Sequence, residues 1–133
     1  MSERFADSFV FLAMLNPRDR KHAAAVTVLR SSRDPLVTTA WVLTELADGL
    51  CAARSRAAFV ALESRLENDS RFTIISPDED LFDDGLELYR ERRDKDWSLT
   101  DCISFVVMRR RGIVETLTGD HHFEQAGFVA LLK

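Results

Sequence analysis

Glycine, proline and cysteine are all scarce in this 133-residue chain, at five, three and two residues. So little glycine and proline leaves no flexible linker, repeat or low-complexity tract. None of the glycines stands in a Gly-x-x-x-x-Gly-Lys array, which excludes a nucleotide-cradling P-loop. Cys51 and Cys102 make no disulfide framework. Both fall in apolar helical segments and read as small buried hydrophobes of a reducing, cytoplasmic setting. No run approaches the roughly 18 apolar residues that a membrane span needs. The first seven residues lack the basic-then-apolar layout of a secretory signal. An excess of positive charge is missing too, since the formal net charge is −4. Nucleic-acid contact is therefore not advertised, yet bound divalent cations or local arginine clusters can reverse the field where it matters.

What the chain does have is 46% apolar and 30% charged residues, the balance of a soluble globular protein, at a length that suits a single domain over residues 1–133. Short β-like runs at 5–6, 36–38, 72–75, 114–118 and 128–132 alternate with helical stretches. Periodicity predicts helices over 9–15, 19–29, 41–53, 56–66 and 79–92, and another from Ser98 to Gly112, with a short one around 121–125. The expected core stripes include Ala24, Ala25, Val28 and Leu29 in the second helix, and Leu81, Phe82, Leu86 and Tyr89 in the fifth. In the sixth they are Leu99, Cys102, Ile103, Val106 and Val107, and Gly112 is placed where a helix stop needs positive φ. Strands alternating with helices imply a parallel α/β sheet with right-handed crossovers.

Such a sheet collects ligands at the carboxyl ends of its strands. Asp7 follows the first strand and Asp120 the fourth, while Glu45 and Asp101 sit in helices that start from the same edge. Each has an ordinary explanation. Asp7 and Asp120 can cap helices, and Asp101 completes a Ser98-x-x-Asp101 capping box. Glu45 can face solvent. Jointly they say more, because crowded carboxylates repel by roughly 4 kcal/mol per pair at 4 Å and an effective dielectric of 20. A cation between them relieves that, and all-oxygen ligands point to Mg²⁺ or Mn²⁺. Two rival acid-bearing folds fail on detail. A receiver domain pairs acids after its first strand and carries a late lysine, and a haloacid-type phosphatase needs Asp-x-Asp, whereas Asp7 is followed by Ser8 and Phe9.

The stretches Phe5-Ala6-Asp7-Ser8, Thr44-Glu45-Leu46, Ser98-Leu99-Thr100-Asp101-Cys102-Ile103-Ser104-Phe105 and Leu117-Thr118-Gly119-Asp120-His121-His122-Phe123 resemble the PIN-domain family of metal-dependent ribonucleases. The Asp-x-x-Phe-x-x-x-Gly segment from Asp120 to Gly127 belongs to the same pattern, and the resemblance spans essentially the whole chain. Within the family it is most similar to the small single-domain proteins that include the VapC toxins of toxin–antitoxin pairs. The resemblance implies a three-layer sandwich whose central, mostly parallel sheet has about five short strands flanked by helices. It implies an endoribonuclease that hydrolyses RNA phosphodiester bonds with metal-activated water. Asp7, Glu45, Asp101 and Asp120 would hold one or two Mg²⁺ or Mn²⁺ ions. Ser8, Thr100 and Thr118 are candidates to orient those ligands or the substrate, and Asp48 is a candidate outer ligand. RNA, an antitoxin protein and a second copy of the chain are the implied partners.

The chain departs from the pattern at Phe9, two positions after the first Asp, where many members carry a small or polar residue; Ser8 is a hydroxyl to take its place. The alternative is a non-catalytic interaction module whose acidic pocket receives a protein partner. His121 and His122 invite a zinc site, but His22 is the only other imidazole, short of the usual three or four nitrogen or sulfur ligands. They are also candidates to touch substrate near the metal edge, and exposed helix residues are their ordinary reading. Arg109-Arg110-Arg111, with Arg90, Arg92, Arg93 and Lys95 or with Arg18, Arg20 and Lys21, are candidates for RNA phosphates, against an ordinary solvated surface. Trp41 and Trp97 fit core, interface or base stacking equally.

Overall fold

The computed structural model describes residues 2–133. Five strands, β1 (Arg4–Ala6), β2 (Leu36–Thr39), β3 (Phe72–Ile75), β4 (Glu115–Leu117) and β5 (Val129–Ala130), form one sheet in the order β3-β2-β1-β4-β5. Every pairing is parallel. Seven α-helices are described: α1 (Ser8–Leu15), α2 (His22–Ser31), α3 (Ala40–Gly49), α4 (Arg56–Glu67), α5 (Glu79–Glu91), α6 (Leu99–Arg111) and α7 (His121–Gln125). The chain steps outward from β1 to β3, then returns past β1 to β4. The order of connection therefore reverses between β1 and β4, and that reversal opens the crevice where such sheets bind ligands. Right-handed crossovers put α1 to α4 on one face and α5 to α7 on the other. Helix contacts divide the same way, α1 against α2 and α3, α6 against α5 and α7, with α3 meeting α6 as well.

Burial follows position in the sheet. β2 is buried at all four residues, as a central strand covered on both faces must be, whereas the edge strand β3 is half-exposed. Phe5, Phe11, Phe105 and Phe123 are the largest fully buried side chains. Trp97 proves to be core: its indole donates to Gln125 Oε1 at 3.0 Å and its ring stands edge-on to Phe105. Gly112 ends α6 at φ 68°, the left-handed geometry expected of it. Gly85 is needed for a different reason. A Cβ there would collide with the Ile103 side chain and lie 3.1 Å from its Cα, so α5 and α6 cross closely only because position 85 is bare.

Several expectations need correction. Helix α3 stops at Gly49, four residues short of its expected end, and Cys51 is exposed rather than buried. Helix α2 starts at His22, with Asp19 in the preceding turn accepting from the Lys21 amide at 2.8 Å. Ala24 faces solvent. In α5 the Gly85–Ile103 crossing turns Leu81 and Gly85 inward, and Phe82 and Tyr89 are left 40% and 49% exposed. The arginine run is tied into the protein itself. Arg110 pairs with Asp84, Arg111 with Glu3 at 2.7 Å, and Arg109 lies over the Phe128 ring. Among the described residues no helix is long and apolar enough to cross a membrane.

Candidate active site

Asp7 is the residue immediately after β1. It stands at the N-cap of α1 yet makes no side-chain cap bond, so capping does not account for it. Its carboxylate instead accepts the Thr118 hydroxyl at 3.1 Å, across the β1–β4 crevice. The same Thr118 oxygen accepts the Asp120 amide at 3.1 Å, so one hydroxyl fixes two of the four acid-bearing segments. Asp120 caps the short α7 by accepting the His122 amide at 2.9 Å. Glu45 arrives from the other side. Thr39 caps α3 through the Val42 amide, and one turn further on Glu45 accepts the Ser8 hydroxyl at 2.7 Å. Asp101 keeps the capping box with Ser98 and also meets His122 Nδ1 at 3.2 Å.

The four carboxylates are thus joined by Ser8, Thr118 and His122 into one constellation at the sheet edge. Asp48 is exposed and Thr100 half-buried, and neither side chain is tied into it. His122 contradicts its reading as an exposed helix residue, because its side chain is 20% accessible and packed against two acids; His121, at 71%, fits that reading. The one sequence signal for His122 was its place two residues after Asp120, since a capping carboxylate binds the amide at that spacing and draws the residue inward.

The electrostatics are severe. Burial drives the Asp7 carboxyl from an ordinary 3.8 up to about 7, and repulsion from Asp101 and Glu45 adds to it, against partial relief from the Ser8 amide and the Thr118 hydroxyl. Asp101 is also raised, first by burial and further by Asp120, while Ser98 and His122 oppose the rise. No Arg or Lys pairs with any of the four acids, although those residues form eight ion pairs elsewhere among the described residues. The donor set is hard, oxygen-rich and anionic, the chemistry that divalent cations prefer. Among the described residues, the donors that already lie within 4.8 Å of one another are those of Asp120, His121 and His122.

Residues 4–129 match the PIN domain family. The chain belongs to the PIN-domain family. Within it the chain is VapC-like. It is 30% identical over 128 residues to the 23S rRNA-specific endonuclease VapC20 of Mycobacterium tuberculosis, covering 94% of this chain and 95% of that protein. The crystal structure of VapC20, described as a Sarcin-Ricin loop cleaving toxin, superposes with a TM-score of 0.87 at 26% identity, covering 99% of this chain and all of that one. FitAcB from Neisseria gonorrhoeae shares the fold at 20% identity and a TM-score of 0.66, over 97% of this chain and 96% of that one.

In this PIN-domain protein the Phe9 departure has a steric partner. A Cβ on Gly119 would lie 2.7 Å from Phe9 Cζ and 2.9 Å from the Leu132 carbonyl oxygen. The ring therefore fits because residue 119 has no side chain, and it packs against the core. Ser8, its neighbour, carries the hydroxyl that reaches Glu45. Thr118→Val tests the network directly. Loss of the hydroxyl frees the Asp7 carboxylate and the Asp120 amide together, and cleavage is expected to fall about 10- to 100-fold, with a stability loss of about 1–3 kcal/mol that leaves the protein folded. Wild-type turnover in that variant would show that Thr118 positions nothing.

Proposed function

We propose that this protein is a divalent-metal-dependent endoribonuclease, with Asp7, Glu45, Asp101 and Asp120 as the carboxylates that hold Mg²⁺ or Mn²⁺. The supporting observation is that, among the described residues, four linked acids have no Lys or Arg partner, and one of them is buried to 4% exposure. A bound divalent ion polarises a phosphoryl oxygen and acidifies a water so that it can be deprotonated near neutral pH. The chain's own residues do the positioning. Ser8 holds Glu45, Thr118 holds Asp7 and the Asp120 backbone, and His122 holds Asp101. None of the acids need attack phosphorus. The nearby thiol of Cys102 is pushed up to about 11 by burial and stays protonated, so it is no rival nucleophile.

A path for the RNA lies beside the α6 cap. A hollow of about 520 Å³ lined by Tyr89, Arg92, Arg93, Lys95, Asp96, Trp97 and Ser98 reaches Cys102, next in sequence to Asp101. Arg92 is engaged by Asp94 at 3.0 Å and lies over Trp97, whereas Arg93 is exposed and makes no ion pair among the described residues. The exposed Tyr89 ring adds a surface on which a base can stack. The relative's ribosomal target makes a structured ribosomal RNA loop the first substrate to offer. On the same family grounds the protein works in the cytoplasm, an antitoxin holds it in check, and it assembles as a homodimer. Purified protein incubated with ribosomal RNA in Mn²⁺, in Mg²⁺ and in EDTA, beside Asp101→Asn, is the test. Cutting that needs the metal and vanishes in the variant supports the proposal. Cutting that survives both EDTA and the substitution overturns it.

A further inference from the structure

Counted by imidazole alone, the histidines fall short of a metal site; the neighbouring Asp120 carboxylate adds a third ligand. His122 Nδ1 lies 3.5 Å from Asp120 Oδ1 and His121 Nδ1 lies 3.6 Å from the same oxygen. One donor atom from each of Asp120, His121 and His122 lies within 4.8 Å of the others. Asp101 Oδ2 stands 3.2 Å from His122 Nδ1. The two longer separations exceed a good N–H···O hydrogen bond. They do match the edge of a coordination tetrahedron, because two ligands each about 2.1 Å from zinc stand roughly 3.4 Å apart.

We propose that Asp120, His121 and His122, with water in the fourth position, form a transition-metal site that takes Zn²⁺ in preference to Mg²⁺. Imidazole nitrogen suits zinc and its neighbours in the first transition row, whereas Mg²⁺ prefers carboxylate, carbonyl and water oxygen. The remaining acids, Asp7, Glu45 and Asp101, present oxygen alone, so the edge divides into a hard corner and a softer one. Asp120 is claimed by both. Zinc at the histidine corner withdraws the Asp120 carboxylate from the catalytic set and the His122 nitrogen from Asp101, and holds the nuclease off. His22 takes no part, since its Nδ1 lies 2.9 Å from the Ala13 carbonyl oxygen.

The inference goes beyond the nuclease reading, and zinc affinity measured without RNA separates the two. Full-length protein freed of metal by EDTA dialysis is titrated with Zn²⁺ and, separately, with Mg²⁺, by calorimetry and by competition with a chromophoric zinc indicator. Wild type, His121→Ala, His122→Gln and the double variant are compared. One Zn²⁺ per chain is expected, bound at least about 100-fold more tightly than Mg²⁺ and weakened about 10-fold or more by each substitution. X-ray absorption at the zinc edge is expected to show imidazole scattering that the double variant lacks. His121 is exposed, so its alanine variant has no reason to misfold and gives a clean reading. Equal zinc affinity in wild type and His121→Ala, an all-oxygen zinc shell, or no preference over Mg²⁺ would overturn the proposal.

Discussion

Asp7→Asn is expected to abolish RNA cleavage and, in the same protein without metal, to raise stability. The two effects share one cause. Asp7 is 4% exposed, and its carboxyl is raised from 3.8 to about 7, first by burial and then by Asp101 and Glu45. That shift corresponds to roughly 4 kcal/mol by which the ionised group opposes folding. For an acid raised in the folded state, the native chain keeps a proton that the unfolded chain has released. Stability therefore falls as pH climbs from about 4 through about 7, and the full cost is present above that window. Asparagine has no charge to bury, and its amide oxygen can still accept from Thr118. At pH 8 without metal the variant should melt on the order of 5–10 °C above wild type, with the gap closing toward pH 4.

Metal should reverse that ranking. On the proposed function Mn²⁺ would bind the folded site and not the unfolded chain, so it should stabilise wild type by mass action, and much less so Asp7→Asn. Cleavage should fall about 10³-fold or more, because several kcal/mol of charge stabilisation in the transition state is lost with the ligand. Melting curves at pH 5 and pH 8, with and without Mn²⁺, read the stability half; RNA cleavage reads the other. A variant no more stable than wild type at pH 8 without metal would remove the electrostatic argument from the site.

Sequence alone could read that the acids gather at one edge, and it named Ser8 and Thr118 as supports only alongside Thr100, which is not tied in. Asp7, Glu45, Asp101 and Asp120 were legible because strand ends and helix starts are marked locally, by β-branched runs such as Phe72–Ile75 and by the Ser98-x-x-Asp101 box. An α/β sheet then brings those marks to one edge. Thr118 was ambiguous because a hydroxyl at a strand end finds some partner in almost any fold, and only the β1–β4 pairing shows that the partner is Asp7. His122 was misjudged because its direction depends on how α7 docks through Phe123, a tertiary fact. Helix α5 shows a second kind of limit. Its apolar residues allow more than one inward face, and the choice was settled by the bare Cα of Gly85 against Ile103, which apolar periodicity does not register. The arginine run was readable as charge but not as pairing, since Glu3 and Asp84 lie 108 and 26 residues away.

Phe105→Ala should be the most destabilising single core truncation near the site. Phe105 is fully buried and holds three rings at once, Trp97 edge-on at 5.0 Å, Phe123 edge-on at 4.9 Å and Phe128 tilted at 5.7 Å. Removing it leaves a cavity walled by rigid aromatics that collapse poorly, so a loss of about 3–5 kcal/mol is expected. Against a typical total of about 5–15 kcal/mol, that shifts the denaturant midpoint far down with little change in slope. The cluster also carries function. Phe105 lies one turn beyond Asp101 on α6, and Phe123 lies three residues beyond Asp120 on α7, so their contact sets the distance between those acids. Phe105→Leu separates the two roles. It keeps most of the volume but not the edge-on geometry, and it should stay folded while cutting less RNA, because a displacement of about 1 Å at reacting groups can cost 10²-fold. A folded Phe105→Leu with wild-type cleavage would mean that the capping box and the α7 cap hold Asp101 and Asp120 in place without help from the rings.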